Sequence, residues 1–273
     1  MGKFDGILIC TDLDGTLYKK DKTISKENLD AIEFFKAEGG KFTFITGRMP
    51  FVSKTAYEEI NPNCPFGCIN GGGIYDHIKQ DYVWYSQTDK SVMELVEYID
   101  TLVPEIGIEV NCRKKGYFCK DNDATELFRQ RLRIENNIRH YKDIDEPVLK
   151  VIFAATREET LMKVADLLDR HPLADKFDFV RSEKILYEIL PKNTNKGFVL
   201  KKMAELTGTD ISRTVAIGDY LNDIEMLQTA GVGIAVENAR DEVKAVADRI
   251  TVSHEESAIA KVIEEIEKGI IEF

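Results

Sequence analysis

With 273 residues, 43% of them hydrophobic and 31% charged, the chain has an ordinary globular composition and is long enough for one large domain or two modest ones. Its 37 basic against 48 acidic residues leave a net charge of −11, which excludes a sequence-independent nucleic-acid binder but leaves open a small anionic ligand held at a locally positive site. No apolar run reaches the length of a membrane span, and Asp12 and Asp14 interrupt the apolar start too early for a signal peptide, so a cytoplasmic protein with no membrane partner is expected.

The first third alternates strand and helix. Residues 7–11 form a nearly unbroken apolar run, the mark of a strand buried on both faces. Ser25 then caps an amphipathic helix in "SKENLDAIEFFKAEGG", whose Leu29, Ile32 and Phe35 recur at helical spacing and whose paired glycines stop it. "KFTFITGR" reads as a second buried strand, a helix follows Pro50, and "PFGCIN" is a further strand. "GGIYDHIKQDYVWYSQ" reads as a hairpin or extended arm. From about Thr88 to Pro191 the rhythm changes. Strand-like runs ("IGIEVNC", "GYFCK", "VLKVIFAA", "FDFVR", "ILYEIL") accompany two helices ("SVMELVEYIDTL", "REETLMKVADLLDRH") without strict alternation, which predicts an α+β insertion. Alternation then resumes through "NKGFVLKKMAELTG", "TVAIGD", "NDIEMLQTAG", "VGIAV", "ARDEVKAVA" and "DRITV", and a terminal helix closes the chain. Interleaved strands and helices predict an α/β core: a parallel sheet with helices on both faces.

Five cysteines, an odd number without zinc-like spacing, read as reduced thiols packed as small apolar groups, and the four histidines are scattered without a ligand pair. The polar residues that stand out fall where core strands end: "TDLDGTL", "FITGR", "LPKNTNKG" and "IGDYLND". In an open parallel sheet the crevice beyond the strand C-termini is where ligands bind. Asp12 and Asp14 can be turn residues, or an acid that attacks beside one that moves protons. Spaced by two at a strand end, they are expected to point to one side.

Asp12, Asp14, Asp219 and Asp223 would meet in this crevice. Two unit charges ~4 Å apart repel by ~4 kcal/mol at an effective dielectric of about 20, so such a cluster needs a cation. Hard oxygen ligands point to Mg²⁺, although an Asp before "IEML" is also an ordinary helix cap. Thr46, Gly47 and Arg48 offer a hydroxyl, an approachable backbone and a cation, either a phosphate cradle or a turn with a surface Arg. Lys196 opposes the dipole of the helix it opens, a misfit that an anion would cure. Asn70, in "INGGGIYD", sits in a tight turn or a ligand-facing loop.

"DLDGTL", "TGR", "NKG" and "GDYLND", in this order and with an insertion between the second and third, resemble the haloacid dehalogenase-like phosphohydrolase superfamily, and more narrowly its Cof-type branch with a type IIB α+β cap. The likeness covers essentially the whole chain, including "ENARDEVKAVAD". It implies a Rossmann-like core at 1–87 and 190–273 and a cap, the substrate-specificity domain, at 88–189. It implies Asp12 as the nucleophile that forms an aspartyl-phosphate and as a metal ligand, and Asp14 as general acid and base with its backbone carbonyl as a further Mg²⁺ ligand. Thr46 would hold the phosphoryl group, with Lys196 the lysine of the third motif. Asp219 and Asp223 would be metal ligands, Asn222 a phosphate or metal-shell contact, and Arg48 and Asn70 substrate-side residues. Asn193 and Asn195 depart from the Gly and Ser usual in the branch, and "SHEESAIAK" lacks an Asp-Gly pair often found there.

The expectation is therefore a Mg²⁺-dependent phosphatase of small phosphorylated metabolites, sugar phosphates or related phosphomonoesters, acting as a monomer or weak homo-oligomer with no nucleic-acid partner. A sugar phosphomutase or a non-catalytic metabolite-binding regulator on the same fold are the alternatives. Tyr117, Phe118 and Tyr187 of the insertion either fill its core or face a substrate.

Overall fold

A computed structural model describes residues 2–273. The chain divides into two units, one containing the chain up to Gly47 with Lys54–Trp84 and Asn195–Phe273, the other Arg48–Ser53 with Tyr85–Thr194. In chain order the elements are β1 (Leu8–Thr11), α1 (Lys26–Ala37), β2 (Lys41–Phe44), α2 (Lys54–Ile60), β3 (Phe66–Cys68), β4 (Gly73–Asp76) and β5 (Asp81–Tyr85). There follow α3 (Val92–Leu102), β6 (Gly107–Cys112), β7 (Gly116–Lys120), α4 (Asp123–Leu132), β8 (Val148–Ala154), α5 (Glu158–Asp169), β9 (Phe177–Glu183) and β10 (Leu186–Pro191). Last come α6 (Lys196–Thr207), β11 (Thr214–Gly218), α7 (Ile224–Thr229), β12 (Val232–Ala235), α8 (Asp241–Lys244), β13 (Arg249–Ile250) and α9 (Ala258–Glu267).

In the first unit a parallel sheet runs β13-β12-β11-β1-β2. Leu8 of β1 pairs with Thr214 on one side and Lys41 on the other, so β1 is buried between two neighbours and can be apolar throughout. The chain leaves β1 towards β2 and returns much later to β11 on the opposite flank. The strand order therefore reverses at β1, and its C-terminal end is the topological switch point of the sheet. Helix α1 begins where Ser25 accepts the N–H of Asn28, a cap worth ~1 kcal/mol, and Asn28 in turn accepts the N–H of Ala260 in α9. The hairpin arm is present as the antiparallel sheet β3-β4-β5.

The second unit holds an antiparallel sheet, β7-β6-β8-β10-β9. One face packs on the apolar sides of α3 and α5. Tyr117 and Tyr187 belong to that core and Phe118 is buried beneath the Arg129 guanidinium, so these aromatics fill the unit. The structure adds a helix that sequence periodicity does not reveal, α4. Its buried stripe is thin, Ala124, Phe128 and Leu132, while Leu127 is exposed. What starts it is a capping box, Asn122 with Thr125. The helix expected after Pro50 is a 3₁₀ turn (Pro50–Val52) followed by α2, and "ARDEVKAVA" shortens to α8. Among the described residues no helix is long and apolar enough to cross a membrane.

Candidate active site

The parallel ladder carries Asp12 into position. Its N–H donates to the Ile217 carbonyl at 2.8 Å, one step past the end of β1. The chain then curls, with the N–H groups of Leu17 and Tyr18 donating to the Leu13 carbonyl. Gly15 occupies φ +88°, and a Cβ there would lie 2.5 Å from Asp219 Oδ2, so only glycine lets this turn approach the end of β11. Thr16 Oγ1 donates to Asp219 Oδ1 at 2.7 Å. Three carboxylates, Asp12, Asp219 and Asp223, each present an oxygen within 4.8 Å of the others.

Lys196, the first residue of α6, is buried and extends its ammonium among them, 2.6 Å from Asp12 Oδ1 and 2.6 Å from Asp223 Oδ1. The misfit of a lysine at a helix start is thus resolved by carboxylates from two other strand ends. Asp223 does not serve as the helix cap that the sequence allowed, since its side chain makes no cap bond to α7. Its Oδ2 accepts the N–H groups of Asp219 and Tyr220 at 3.0 Å each, closing the turn after β11, while its Oδ1 takes Lys196.

The electrostatics follow from burial. Desolvation pushes the Asp12 carboxyl up to about 7; Lys196 pulls it back and Asp223 adds to the rise. Asp219 is also well above the usual carboxylate range, from burial first and then repulsion by Asp12 and Asp223. Burial alone would lower the Lys196 ammonium, but Asp12 and Asp223 reverse this and hold it above its ordinary value. Three carboxylates against one ammonium leave two uncompensated negative charges, and hard oxygen donors in that number suit one divalent cation of the Mg²⁺ type.

The carboxylate of Asp14 does not join this group. Strand geometry stops at Thr11, so the two-residue alternation no longer governs its direction, and its carboxylate pairs with Lys22 Nζ at 2.7 Å. A second cluster ties neighbouring strand ends together. The Thr46 N–H donates to Gly67 O, the Asn70 N–H to Thr46 O, and Asn222 Nδ2 to Asn70 Oδ1 at 2.8 Å. Gly47 abuts Asn70, whose Oδ1 would lie 2.8 Å from a Cβ at that position. Ile69 and Asn70 have φ of 59° and 50°, and a left-handed β-branched residue is strained by ~1–3 kcal/mol. The surrounding bonds hold that strain and with it the buried Asn70 side chain. Arg48 belongs to the second unit.

Sequence reasoning missed two supports. Asn238, in "ENAR", donates to Gly15 O at 2.8 Å and accepts the N–H of His254, whose buried ring hydrogen-bonds Tyr18 O. The two prop the loop that carries Asp12 and Asp14. The only signal was a polar residue after a strand, too common to single out. Of the departures noted above, Asn193 stands at φ +60°, where Gly is the ready alternative, and Asn195 caps α6 by accepting the Phe198 N–H.

Residues 9–263 match the haloacid dehalogenase-like hydrolase family. A Bacillus subtilis (strain 168) protein named 5-amino-6-(5-phospho-D-ribitylamino)uracil phosphatase YitU is 29% identical over 264 residues, covering 94% of this chain and 96% of its own. A haloacid dehalogenase-like hydrolase from Bacteroides thetaiotaomicron superposes with a TM-score of 0.84 at 24% identity, over 96% of this chain and 99% of that one. The HAD subclass IIB sugar phosphatase BT4131 gives 0.84 at 21% identity, over 97% and 100%. With a match spanning nearly the whole sequence, and acids, lysine and loops gathered at one end of a parallel sheet, the chain belongs to the haloacid dehalogenase-like hydrolases and to their Cof-type phosphatases.

Proposed function

We propose that the chain is a Mg²⁺-dependent phosphatase hydrolysing small phosphorylated metabolites, sugar or polyol phosphates and related phosphomonoesters, through an aspartyl-phosphate. The observation that carries this reading is the Lys196 ammonium held between Asp12 and Asp223, with Asp219 alongside. Asp12, Asp219 and Asp223 would hold the cation. Bound there, Mg²⁺ would supply neutralisation of the carboxylates and of the phosphoryl oxygens.

In this reading a carboxylate oxygen of Asp12 attacks phosphorus as the bond to the leaving oxygen breaks, and Asp14, protonated, gives that oxygen its proton. Water then attacks phosphorus, Asp14 takes back a proton, and the bond to Asp12 breaks to release inorganic phosphate. To meet the leaving oxygen, Asp14 has to turn away from Lys22, an exposed pair worth under ~1 kcal/mol and so easily parted. Lys196 orients Asp12 and favours its ionised form against the effect of burial. Thr46, Gly47, Asn70 and Asn222 would line the phosphoryl side, and Arg48 the substrate side.

The second unit, with residues 88–189 at its heart, is read as the substrate-selecting cap. The relative from B. subtilis is named for a phosphate ester on a ribityl chain, which supports a hydroxylated substrate. All five cysteines are thiols among the described residues, in keeping with a cytoplasmic setting. The test is Asp12→Asn with p-nitrophenyl phosphate and Mg²⁺. Turnover is expected to fall by ~10⁴-fold or more, and wild-type turnover in the variant would refute the reading.

A further inference from the structure

Asp14 stands past the end of β1, beyond the regular strand. On its near side the chain is held by the Asp12 N–H on Ile217 O. On its far side three bonds reach in from residues near the C-terminus. Asn238 Nδ2 donates to Gly15 O at 2.8 Å. The His254 ring meets Tyr18 O at 2.8 Å, and since a carbonyl only accepts, Nδ1 carries the hydrogen of that bond. Glu255 Oε1 accepts the Lys20 N–H at 2.9 Å.

The third bond bears on the partner of Asp14. Lys22, whose ammonium pairs with the Asp14 carboxylate, has φ +65° in a turn closed by the Lys19 N–H on Thr23 O and the Lys22 N–H on Lys19 O. Lys20 lies inside that turn. Consecutive residues thus grip both members of the pair: His254 holds the turn that presents Asp14, and Glu255 the turn that presents Lys22. Their own footing is firm. Residues 254–256 form one 3₁₀ turn with a capping box between Ser253 and Glu256. The His254 N–H donates to Asn238 Oδ1 at 3.0 Å, which joins the three bonds into one unit. The Ser257 hydroxyl donates to Ser25 Oγ at 2.8 Å, at the start of α1.

We propose that His254 and Glu255 are positioning residues for the general acid. They fix the main chain beside the Asp14–Lys22 pair, so that the Asp14 side chain swings to the leaving oxygen while its turn stays still. They act through the turn's own peptide groups, and a misplacement of about 1 Å at a reacting group costs about 10²-fold in rate. This inference rests on the phosphatase reading. In that reaction Asp14 gives its proton to the leaving oxygen as that oxygen's bond to phosphorus breaks and the bond from Asp12 forms. A weakly basic leaving group such as p-nitrophenolate departs with little need of the proton, whereas a more basic one depends on it. A loosened grip therefore steepens the dependence on leaving-group basicity instead of slowing all esters alike.

The test is kcat/KM with Mg²⁺ for p-nitrophenyl, phenyl and p-methoxyphenyl phosphate. This constant covers the steps up to departure of the leaving group and omits the later hydrolysis of the phosphoenzyme. His254→Ala is expected to lower the p-methoxyphenyl value by about tenfold or more and the p-nitrophenyl value by about threefold at most. His254→Asn, whose Nδ2 can donate in place of the ring Nδ1, is expected to bring the ratio of the two back to within about threefold of wild type. Glu255→Ala, at an exposed position, should tilt the series the same way by about threefold, and it carries the test if His254→Ala does not fold. Equal loss across the series, an unchanged series in both alanine variants, or His254→Asn as impaired as His254→Ala would each overturn the inference alone. A wild-type chain that hydrolyses none of the three esters would remove the phosphatase reading and this inference with it.

Discussion

Replacing Glu109 by Gln should stabilise the second unit in alkali and leave it almost unchanged in acid. Burial pushes this carboxyl from its usual 4.5 up to about 7. Lys150, the Asn111 amide alongside and the more remote Arg129 pull it down, while Glu188 pushes it further up. The folded chain therefore binds the Glu109 proton more tightly than the unfolded chain does. Below pH ~4.5 both states are protonated and the site costs nothing extra. As pH rises from there to about 7 the folded state loses stability, and above about 7 the loss is complete. A difference of about 2.5 pKa units at 1.36 kcal/mol each amounts to about 3 kcal/mol. Gln has the shape of the protonated acid and carries no charge. At pH 4 the variant should match wild type within ~0.5 kcal/mol, and at pH 8.5 it should be more stable by about 3 kcal/mol. Hydrogen exchange of peptides covering β6 and β8, compared between the two proteins at the same pH, reads this opening free energy locally. Equal protection at pH 8.5, or destabilisation at both pH values, would refute the reasoning.

Lys196→Met removes the ammonium from two buried carboxylates. Turnover of p-nitrophenyl phosphate should fall by about 10³-fold, and stability in the absence of metal by ~3–5 kcal/mol at pH 8, as read by urea denaturation. Near-wild-type turnover would remove the lysine from the chemistry. Chelation with EDTA should abolish turnover and added Mg²⁺ restore it; full activity in EDTA would eliminate the metal from the mechanism. Mg²⁺ should also raise the melting temperature of the wild type, and less so in Asp219→Asn, since a cation that binds only the folded state stabilises by mass action.

Asp12 and Asp219 were legible because each lies directly after a buried strand of the parallel sheet, whereas Lys196 follows a strand of the other sheet and stood out as a cation at a helix start. An apolar run such as residues 7–11 marks its own strand, and the polar residue that ends it marks the ligand edge. Helix α4 was not legible in the same way, because its buried stripe is three residues wide and the cap that starts it is a local hydrogen-bond pattern. The direction of Asp14 was lost for a related reason. Strand alternation was carried past Thr11, where the chain already turns.

Sequence by itself determined the alternation that makes a parallel sheet, the order of the four polar stretches, and the type of chemistry their acids and lysine can perform. These depend on near neighbours: strand period, turn residues, and which side chains ionise. Tertiary structure alone decided that one ammonium would bridge Asp12 and Asp223, that Asp14 would lie with Lys22, and that Asn238 and His254 would brace the loop between them. It also decided that Glu109 and Asn111 would be buried with atoms left open. Such pairings join residues up to 236 positions apart, and their energies arise from desolvation, which exists only once the chain has closed around them.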